Sequence, residues 1–262
     1  MSFHFDRALV RPPAANFAEG LTTAGLGAPD VARALEQHAE YCRVLERCGL
    51  ALTRLDPDPR HPDSTFVEDT AVVVGGRALL TRPGAPSRAG EVDAIAPELA
   101  RELARVDRIT APGTLDGGAI CETAGLVLAG RSARTNDEGI RQLAVWLEAA
   151  GLPVAVIDIR EIAGILHLKS GLSWLGEGRL AVIDALADHP ALAGFQRVRV
   201  APAEAYAANC VRVNQRLLVP AGHPRFQAEL AALGYRVESL AMGEFRKMDG
   251  GLTCLSLRLP PA

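Results

Sequence analysis

Apolar positions along the chain fall into two alternating regimes. The run ALLTRPG (78–84) reads as a short strand stopped by a Gly/Pro turn. It is followed by SRAGEVDAIAPELARELA, whose apolar positions recur with the spacing of an amphipathic helix, and by VDRITA, a second short strand. The same order returns in LVLAGRSARTN, DEGIRQLAVWLEAAG and LPVAVIDI, and again in RLLVPAGHP, RFQAELAALG and YRVESLA. Placing Leu79, Val127 and Leu217 at equivalent strand positions gives spacings of 48 and 90 residues, the second being two periods of 45. The unit this requires between them is GRLAVIDALADHPALAGF closed by RVRVAP, and a fifth opens the chain as ALVRPP, PDVARALEQHAEYCRVLERCG and LALTRL. Five strand–helix–strand units predict an α/β fold closed radially on itself, one domain over residues 1–262 in which each unit buries its face on its neighbours. Residues 14–28, AANFAEGLTTAGLGA, follow neither period and predict a loop or flap within the first unit.

Composition narrows the function classes. Hydrophobic residues make up 48% and charged residues 23% of the 262 positions, an ordinary globular mix. The formal net charge of −3, from 28 Lys+Arg and 31 Asp+Glu, leaves no basic excess for a phosphate backbone, and aromatics, at 5%, are too sparse for base stacking. No nucleic-acid partner is expected. The opening MSFHFDRALVRPP has no apolar core of a leader, and no apolar stretch approaches the roughly 20 residues that span a bilayer, so the expected location is cytoplasmic, away from membranes. Five cysteines with no CxxC argue against a disulfide scaffold, and six scattered histidines without HExxH give no zinc pattern. Walker A, GxGxxG and GxSxG motifs are also missing, so chemistry must come from dispersed single residues.

In a radial fold, strand ends converge on the centre and different units supply the chemistry. Four places stand out. In HPDSTFVEDT, the acids Asp63, Glu68 and Asp69 flank an apolar pair and precede the apolar run AVVV. They form either a solvated turn or a set of buried carboxylates, and burial costs several kcal/mol per unpaired charge, which a cationic ligand would relieve. In GTLDGGAICETAG, Asp116 precedes paired glycines, as a plain turn or as a carboxylate brought close to a partner. His167, in the apolar run GILHLKSGLSW, is either a packed core residue or a proton carrier held in one tautomer by an acid such as Asp116. Cys254, in KMDGGLTCLSLRL, follows a Gly-Gly turn at the start of the last apolar strand. That position gives it access, whereas Cys42, Cys48, Cys121 and Cys210 read as inert buried thiols.

The strings PDSTFVEDT, TRPGAPSRAGE, APGTLDGG, SARTNDEG, LHLKSGL, AANCVRVN and MDGGLTC, in this order and spacing, resemble the dimethylarginine dimethylaminohydrolases over nearly the whole chain. The resemblance implies a five-bladed α/β-propeller of ββαβ units with pseudo-fivefold symmetry and no metal or organic cofactor. It implies Cys254 as nucleophile, His167 as general acid and base, and Asp116 as its orienting acid. Asp63, Glu68 and Asp69 would bind a substituted guanidinium. Arg88 and Arg134 would hold the α-carboxylate, with Leu21 and Met248 contacting the amino-acid end through their backbones. The implied reaction takes N-omega-methylated arginine to citrulline and an alkylamine, in a monomer or homodimer. The family commonly has an acid after the two glycines of LDGG, where this chain has Ala119, which places the local setting of Asp116 in question. An arginine deiminase or amidinotransferase using the same triad, and a non-catalytic ring that binds arginine-like ligands, are the competing expectations.

Overall fold

The computed structural model describes residues 4–261. Among these residues the chain forms five three-stranded sheets. The first joins β1 (Arg7–Val10), β2 (Ala51–Arg54) and the last strand of the chain, β15 (Leu257–Leu259). The others follow in sequence: β3 (Ala71–Val74), β4 (Arg77–Leu80) and β5 (Arg105–Arg108); β6 (Ile120–Glu122), β7 (Val127–Arg131) and β8 (Val154–Asp158); β9 (Leu172–Gly176), β10 (Arg179–Ile183) and β11 (Gln196–Val200); β12 (Val211–Val213), β13 (Arg216–Pro220) and β14 (Arg236–Leu240).

Every sheet has the same internal order. The middle strand pairs antiparallel with a preceding inner strand and parallel with an outer one, as in Ala71↔Leu80 and Leu80↔Arg108. An antiparallel pair needs only a tight turn, supplied by Gly75-Gly76 at positive φ between β3 and β4, whereas the parallel pair needs a crossover. Helices supply four of the crossovers: α1 (Val31–Arg47), α2 (Glu91–Glu102), α3 (Asp137–Glu148) and, after two shorter helices, α6 (Pro224–Ala232). The fold is thus a ring of five ββαβ units, and β15 completes the first of them by pairing antiparallel with β1, Arg7↔Leu259 to Leu9↔Leu257.

The helices form where capping and periodicity agree. Asp30 accepts a hydrogen bond from the Arg33 amide (3.1 Å) at the start of α1, whose buried Ala34, His38, Tyr41, Cys42, Val44 and Leu45 recur on one face. Asn136 does the same for α3 through the Gly139 amide (2.8 Å). The buried faces pack between neighbouring units rather than at one centre. Leu9, Leu257 and Leu259 of the first sheet pack with Ala78, Leu80, Ile95 and Leu99 of the second, and Val72, Val74 and Leu79 pack with Ile120, Val127 and Leu143 of the third.

Two expectations are refined. The periodic units contained the middle and outer strands but not the inner ones: β3, β6, β9 and β12 are runs of three to five largely buried residues that carry no alternation and stand ahead of the strand–helix–strand order that defines the repeat. In the fourth unit the expected helix shrinks to α5 (Asp184–Ala187) and a 3-10 turn at Pro190–Leu192, where Pro190 breaks the helical run. The stretch 14–28 divides as well: Phe17 is fully buried, and the exposed flap proper begins at Leu21. All five cysteines are free, and no helix among the described residues is long and apolar enough to cross a membrane.

Because Leu259 is fully buried at the closing strand, Leu259→Ala should lower the unfolding free energy by about 2–5 kcal/mol, while Leu21→Ala on the exposed flap should stay within about 0.5 kcal/mol. Urea denaturation of the two variants measures the difference.

Candidate active site

The inner strands all enter the ring from one end, and the segment just before each delivers a polar side chain there. Before β3, a 3-10 turn over Val67–Thr70 carries Glu68 and Asp69, and before β6 Asp116 caps the 3-10 turn Gly117–Ala119. His167 precedes α4 (Leu168–Gly171) and β9, Asn209 precedes β12, and Cys254 lies on the 3-10 turn Thr253–Leu255 ahead of β15. Each of the five units therefore contributes.

Leu21, Asp63, Asp69, Arg88, Arg134, His167, Met248 and Cys254 converge on one cavity, walled also by Phe66, Leu166, Asp249 and Gly250. Asp116 stands behind His167 and Glu68 behind Cys254. Cys254 is not as accessible as its place after two glycines suggested: only 8% of its surface is exposed. The flap lies down over this end. The Leu21 amide donates to Asp63 Oδ1 (3.1 Å), Thr22 Oγ1 to the Lys247 carbonyl (2.7 Å), and both the amide and the hydroxyl of Thr23 to Asp249. With the flap down the cavity holds about 20 Å3, room for roughly one water. An amino acid can enter only when these contacts part. Beside it, and sharing Leu166, Asp249 and Gly250, is a larger cavity of about 550 Å3 walled in part by Thr23, Ala24 and Leu26.

His167 Nε2 lies 2.9 Å from Asp116 Oδ2, and both residues are buried. A carboxylate accepts, so Nε2 carries the proton and Nδ1 is left to face the cavity, 3.9 Å from Asp69 Oδ1. Burial disfavours the imidazolium, yet Asp69 and Asp116 outweigh it and hold the His167 pKa above its ordinary value. Asp116 is in turn fixed by the Gly84 amide on Oδ1 (2.8 Å) and by its own amide donating to Thr135 Oγ1 (3.1 Å). The side chain at position 119 takes no part in this: Ala119 is buried in the apolar cluster with Ile120 and Val127, so the departure from the family pattern leaves the setting of Asp116 intact. Gly118 is required for close approach, since a Cβ there would meet both Asp69 Oδ1 and His167 Nδ1 at 2.8 Å.

Of the carboxylates along the cavity, Asp63 and Asp69 are buried and Asp249 is half-buried; Asp69 is charge-paired, whereas Asp63 and Asp249 accept from the flap. Arg88 Nη1 donates to Asp69 Oδ2 (2.6 Å), and its Nε and Nη2 bind Glu91 at 2.9 and 2.8 Å. Arg88, expected to meet a substrate carboxylate, is thus largely engaged within the protein. By contrast, no acceptor among the described residues reaches the half-buried guanidinium of Arg134. Burial raises the Asp63 pKa, with Arg88 opposing it. Glu68 Oε1 accepts from Lys169 Nζ (2.6 Å) and Arg258 Nη2 (3.1 Å), whereas Oε2 is buried with no partner. For Cys254, burial and then the charges of Glu68 and Asp69 push the thiol up to about 12. Asn209 steadies that turn, its Oδ1 accepting from the Thr253 amide (3.1 Å) and its Nδ2 donating to the Lys169 carbonyl (2.9 Å).

Lys169, Arg258, Glu91 and Asn209 escaped the reading of the sequence, although Glu91, Lys169 and Asn209 stand inside strings that resemblance singled out. A count of partners for the buried acids would have asked for such cations. Chemically, the arrangement offers a suppressed thiol, a proton carrier with a fixed tautomer, and carboxylates still short of positive charge, a combination that a bound cation would complete.

Known proteins resemble this chain over nearly its whole length. The dimethylarginine dimethylaminohydrolase of Pseudomonas aeruginosa is 43% identical over 255 residues, 97% of this chain and 99% of its own. That of Streptomyces coelicolor is 38% identical over 254 residues, covering 97% and 96%. A solved structure of a Cys-to-Ser mutant of the Pseudomonas aeruginosa protein complexed with citrulline matches with a TM-score of 0.94 at 42% identity, over 98% of this chain and 100% of that one. The cyanobacterial arginine dihydrolase domain of ArgZ, bound to its substrate, shares the fold at 21% identity with a TM-score of 0.88. No protein-family model matches the chain. With relatives at this identity covering 97% of it, the chain belongs to the dimethylarginine dimethylaminohydrolase family.

Proposed function

We propose that this protein hydrolyses N-omega-methylated arginines to citrulline and di- or monomethylamine through a covalent intermediate on Cys254. The observation that carries the reading is the convergence of Cys254, the His167–Asp116 pair and under-neutralised carboxylates on one closed cavity. Relatives of this family add weight, one solved with citrulline and another as a His-to-Gly variant in an adduct with S-methyl-L-thiocitrulline.

The chemistry follows from charge. A guanidinium carbon is a poor electrophile because resonance spreads its charge, so a soft thiolate suits it better than water. Carboxylates such as Asp63, Glu68 and Asp69 keep the group protonated and hold its carbon near the sulfur. In the free protein the same acids suppress the thiolate. Binding a cation beside Sγ reverses that, so the thiol proton is released to solvent only when substrate is in place. The thiolate adds to the guanidinium carbon, and His167 Nδ1 donates its proton to the departing alkylamine nitrogen as the carbon–nitrogen bond breaks. The product is a thiouronium on Cys254. His167, now neutral, takes a proton from water as its oxygen adds to the same carbon. The carbon–sulfur bond breaks to release the thiolate, the oxygen gives up its second proton to the free alkylamine or to solvent, and citrulline results. One imidazole works in both directions, which a raised but still titratable pKa permits.

At the amino-acid end, Arg134, whose guanidinium has no acceptor among the described residues, receives the α-carboxylate, with the backbones of Leu21 and Met248 beside it. Arg88 contributes a second contact once Glu91 or Asp69 loosens its hold. Asp63, released from the Leu21 amide as the flap lifts, is open to a positively charged group of the substrate. The protein acts as a monomer or homodimer, in the cytoplasm. The test is citrulline production from dimethylarginine, monomethylarginine, arginine and methylguanidine side by side. Turnover of the methylated amino acids with little from the other two is expected, and preference for arginine would move the protein to a deiminase.

Cys254→Ser should abolish turnover while leaving citrulline binding intact, since serine lacks a base able to ionise it. In the native protein, neutral iodoacetamide should modify Cys254 slowly at pH 7.5 and cationic chloroacetamidine much faster, because only the latter carries the charge that lowers the thiol pKa. Equal rates for the two reagents, read by peptide mass spectrometry, would contradict activation by substrate charge.

His167→Gly should stall the second half-reaction more than the first. Mixed with dimethylarginine, it should release at most about one equivalent of dimethylamine per site and accumulate an adduct confined to Cys254, with imidazole restoring citrulline. Simultaneous release of amine and citrulline, with no adduct at any time, would place the second proton transfer elsewhere.

The two arginines should separate. Arg134→Ala should weaken substrate binding by about 1.5–3 kcal/mol, roughly ten- to hundredfold in KM, with unfolding unchanged. Arg88→Ala leaves buried Glu91 and Asp69 without their cation, and should cost about 3–5 kcal/mol of stability besides. Binding assays and urea unfolding of both variants give the comparison.

A further inference from the structure

At the opposite end of the ring is a second cavity of about 650 Å3, lined by Arg47, Cys48, Arg212, Asn214, Arg216 and Arg236 among others. It lies at the hairpin tips, where β9 ends at Gly176 and β12 turns into β13. The five residues of β9 alone separate it from the His167 end by about 16 Å at the usual rise of a strand. Its size falls within the roughly 300–1,000 Å3 of small-molecule sites.

The floor is built rather than loose. Asn214, left-handed at φ 55, accepts from the Phe5 amide (2.8 Å) and donates to the carbonyls of Phe5 and Cys48 (2.9 Å each). One side chain thereby ties together the segment before β1, the turn after α1 and the β12–β13 hairpin. The Arg212 guanidinium is held by the Leu175 carbonyl (2.8 Å) and lies 5.9 Å from the Tyr235 ring centre.

Charge is the distinguishing feature. Arg43 and Arg47 share Glu40, Arg179 and Arg212 share Glu177, and Arg216 pairs with Glu238. Among the described residues Arg236 has only the neutral Gln215, at 3.4 Å. Four guanidiniums and the single carboxylate of Glu177 thus line the cavity, and two of the three carboxylates that the lining arginines use are shared with a further arginine, in a protein whose net charge is −3. None of these residues belongs to the site proposed above.

We infer that this cavity binds a small, multiply charged anion whose phosphoryl oxygens bridge the arginines. Several guanidinium forks spread around one concave space match an anion with charge distributed over several oxygens.

Cys48, half-buried in the lining, provides a local readout through alkylation by iodoacetamide followed at peptide resolution. Inorganic pyrophosphate at about four times its Kd should slow Cys48 modification about fivefold, as 1 + [L]/Kd requires, and leave Cys254 unaffected. Sodium chloride at matched ionic strength should not protect. Arg47→Gln/Arg236→Gln, which alters two exposed side chains, should lose the protection while keeping the native hydrolysis rate and melting temperature. ATP protecting at the same concentrations would identify the phosphate chain as the recognised part, and tighter protection by ATP would add a nucleoside contact. Titration calorimetry with pyrophosphate gives an independent check should Cys48 react too slowly, with one site expected in the native protein and none in the double variant. The inference is overturned if pyrophosphate gives neither protection nor heat, if chloride protects equally, or if the double variant binds as the native protein does.

Discussion

The constraint on which this architecture depends is electrostatic: four carboxylates, those of Asp63, Glu68, Asp69 and Asp116, are buried around the proposed nucleophile's end of the ring. In water such a cluster is unremarkable. Inside a protein each charge must find a partner or give up its ionised form. The fold answers with cations drawn from far along the chain. Arg88 and Glu91 form a buried triad with Asp69, and Lys169 and Arg258 converge on a single oxygen of Glu68. What remains incompletely neutralised is the part of the cluster that faces the cavity. Stability and ligand affinity therefore draw on the same charges.

Radial symmetry makes that arrangement possible without long loops. Because all five inner strands enter from one end, short turns carrying Asp69, Asp116, His167, Asn209 and Cys254 meet there, and each is anchored by its own sheet. Positional accuracy then comes from the packed strands rather than from the turns. The glycines beside these residues serve the same purpose, Gly118 most plainly, since any side chain there would separate Asp69 from His167.

Much of this was legible in the sequence. Outer strands and long helices were visible because one face of each is buried and the other wet, and the middle strands, apolar runs buried on both faces, because each ends where the helical spacing of its unit begins. The inner strands, buried on both faces, resembled any short apolar run, and only the family resemblance supplied them. The residues of the site were identified by resemblance, while the bottom-up reading left Asp116 as a turn or a functional acid and His167 as core or catalyst. Arg88 illustrates what neither route conveys. Its position in the chain was right for the cavity, but its pairing with Glu91 depends on three-dimensional proximity across a turn. Similarly, a cysteine after two glycines suggested exposure, and the flap, whose latch to Asp249 lies 226 residues away in sequence, removed it.

The closing of the ring by its last strand has a consequence for the order of biosynthesis. β15 leaves the ribosome after the other fourteen strands described, and Cys254 precedes it by three residues. Until that strand docks on β1, the first sheet has only two strands and the nascent chain holds its acids, imidazole and arginines without the sulfur. Competence thus arrives in one step with topological completion of the ring, where β1 and β15 lie side by side. A circular permutant that links β15 to β1 and is reopened at the β12–β13 hairpin would keep every strand pairing and place the nucleophile ahead of β1 in synthesis instead of after β14.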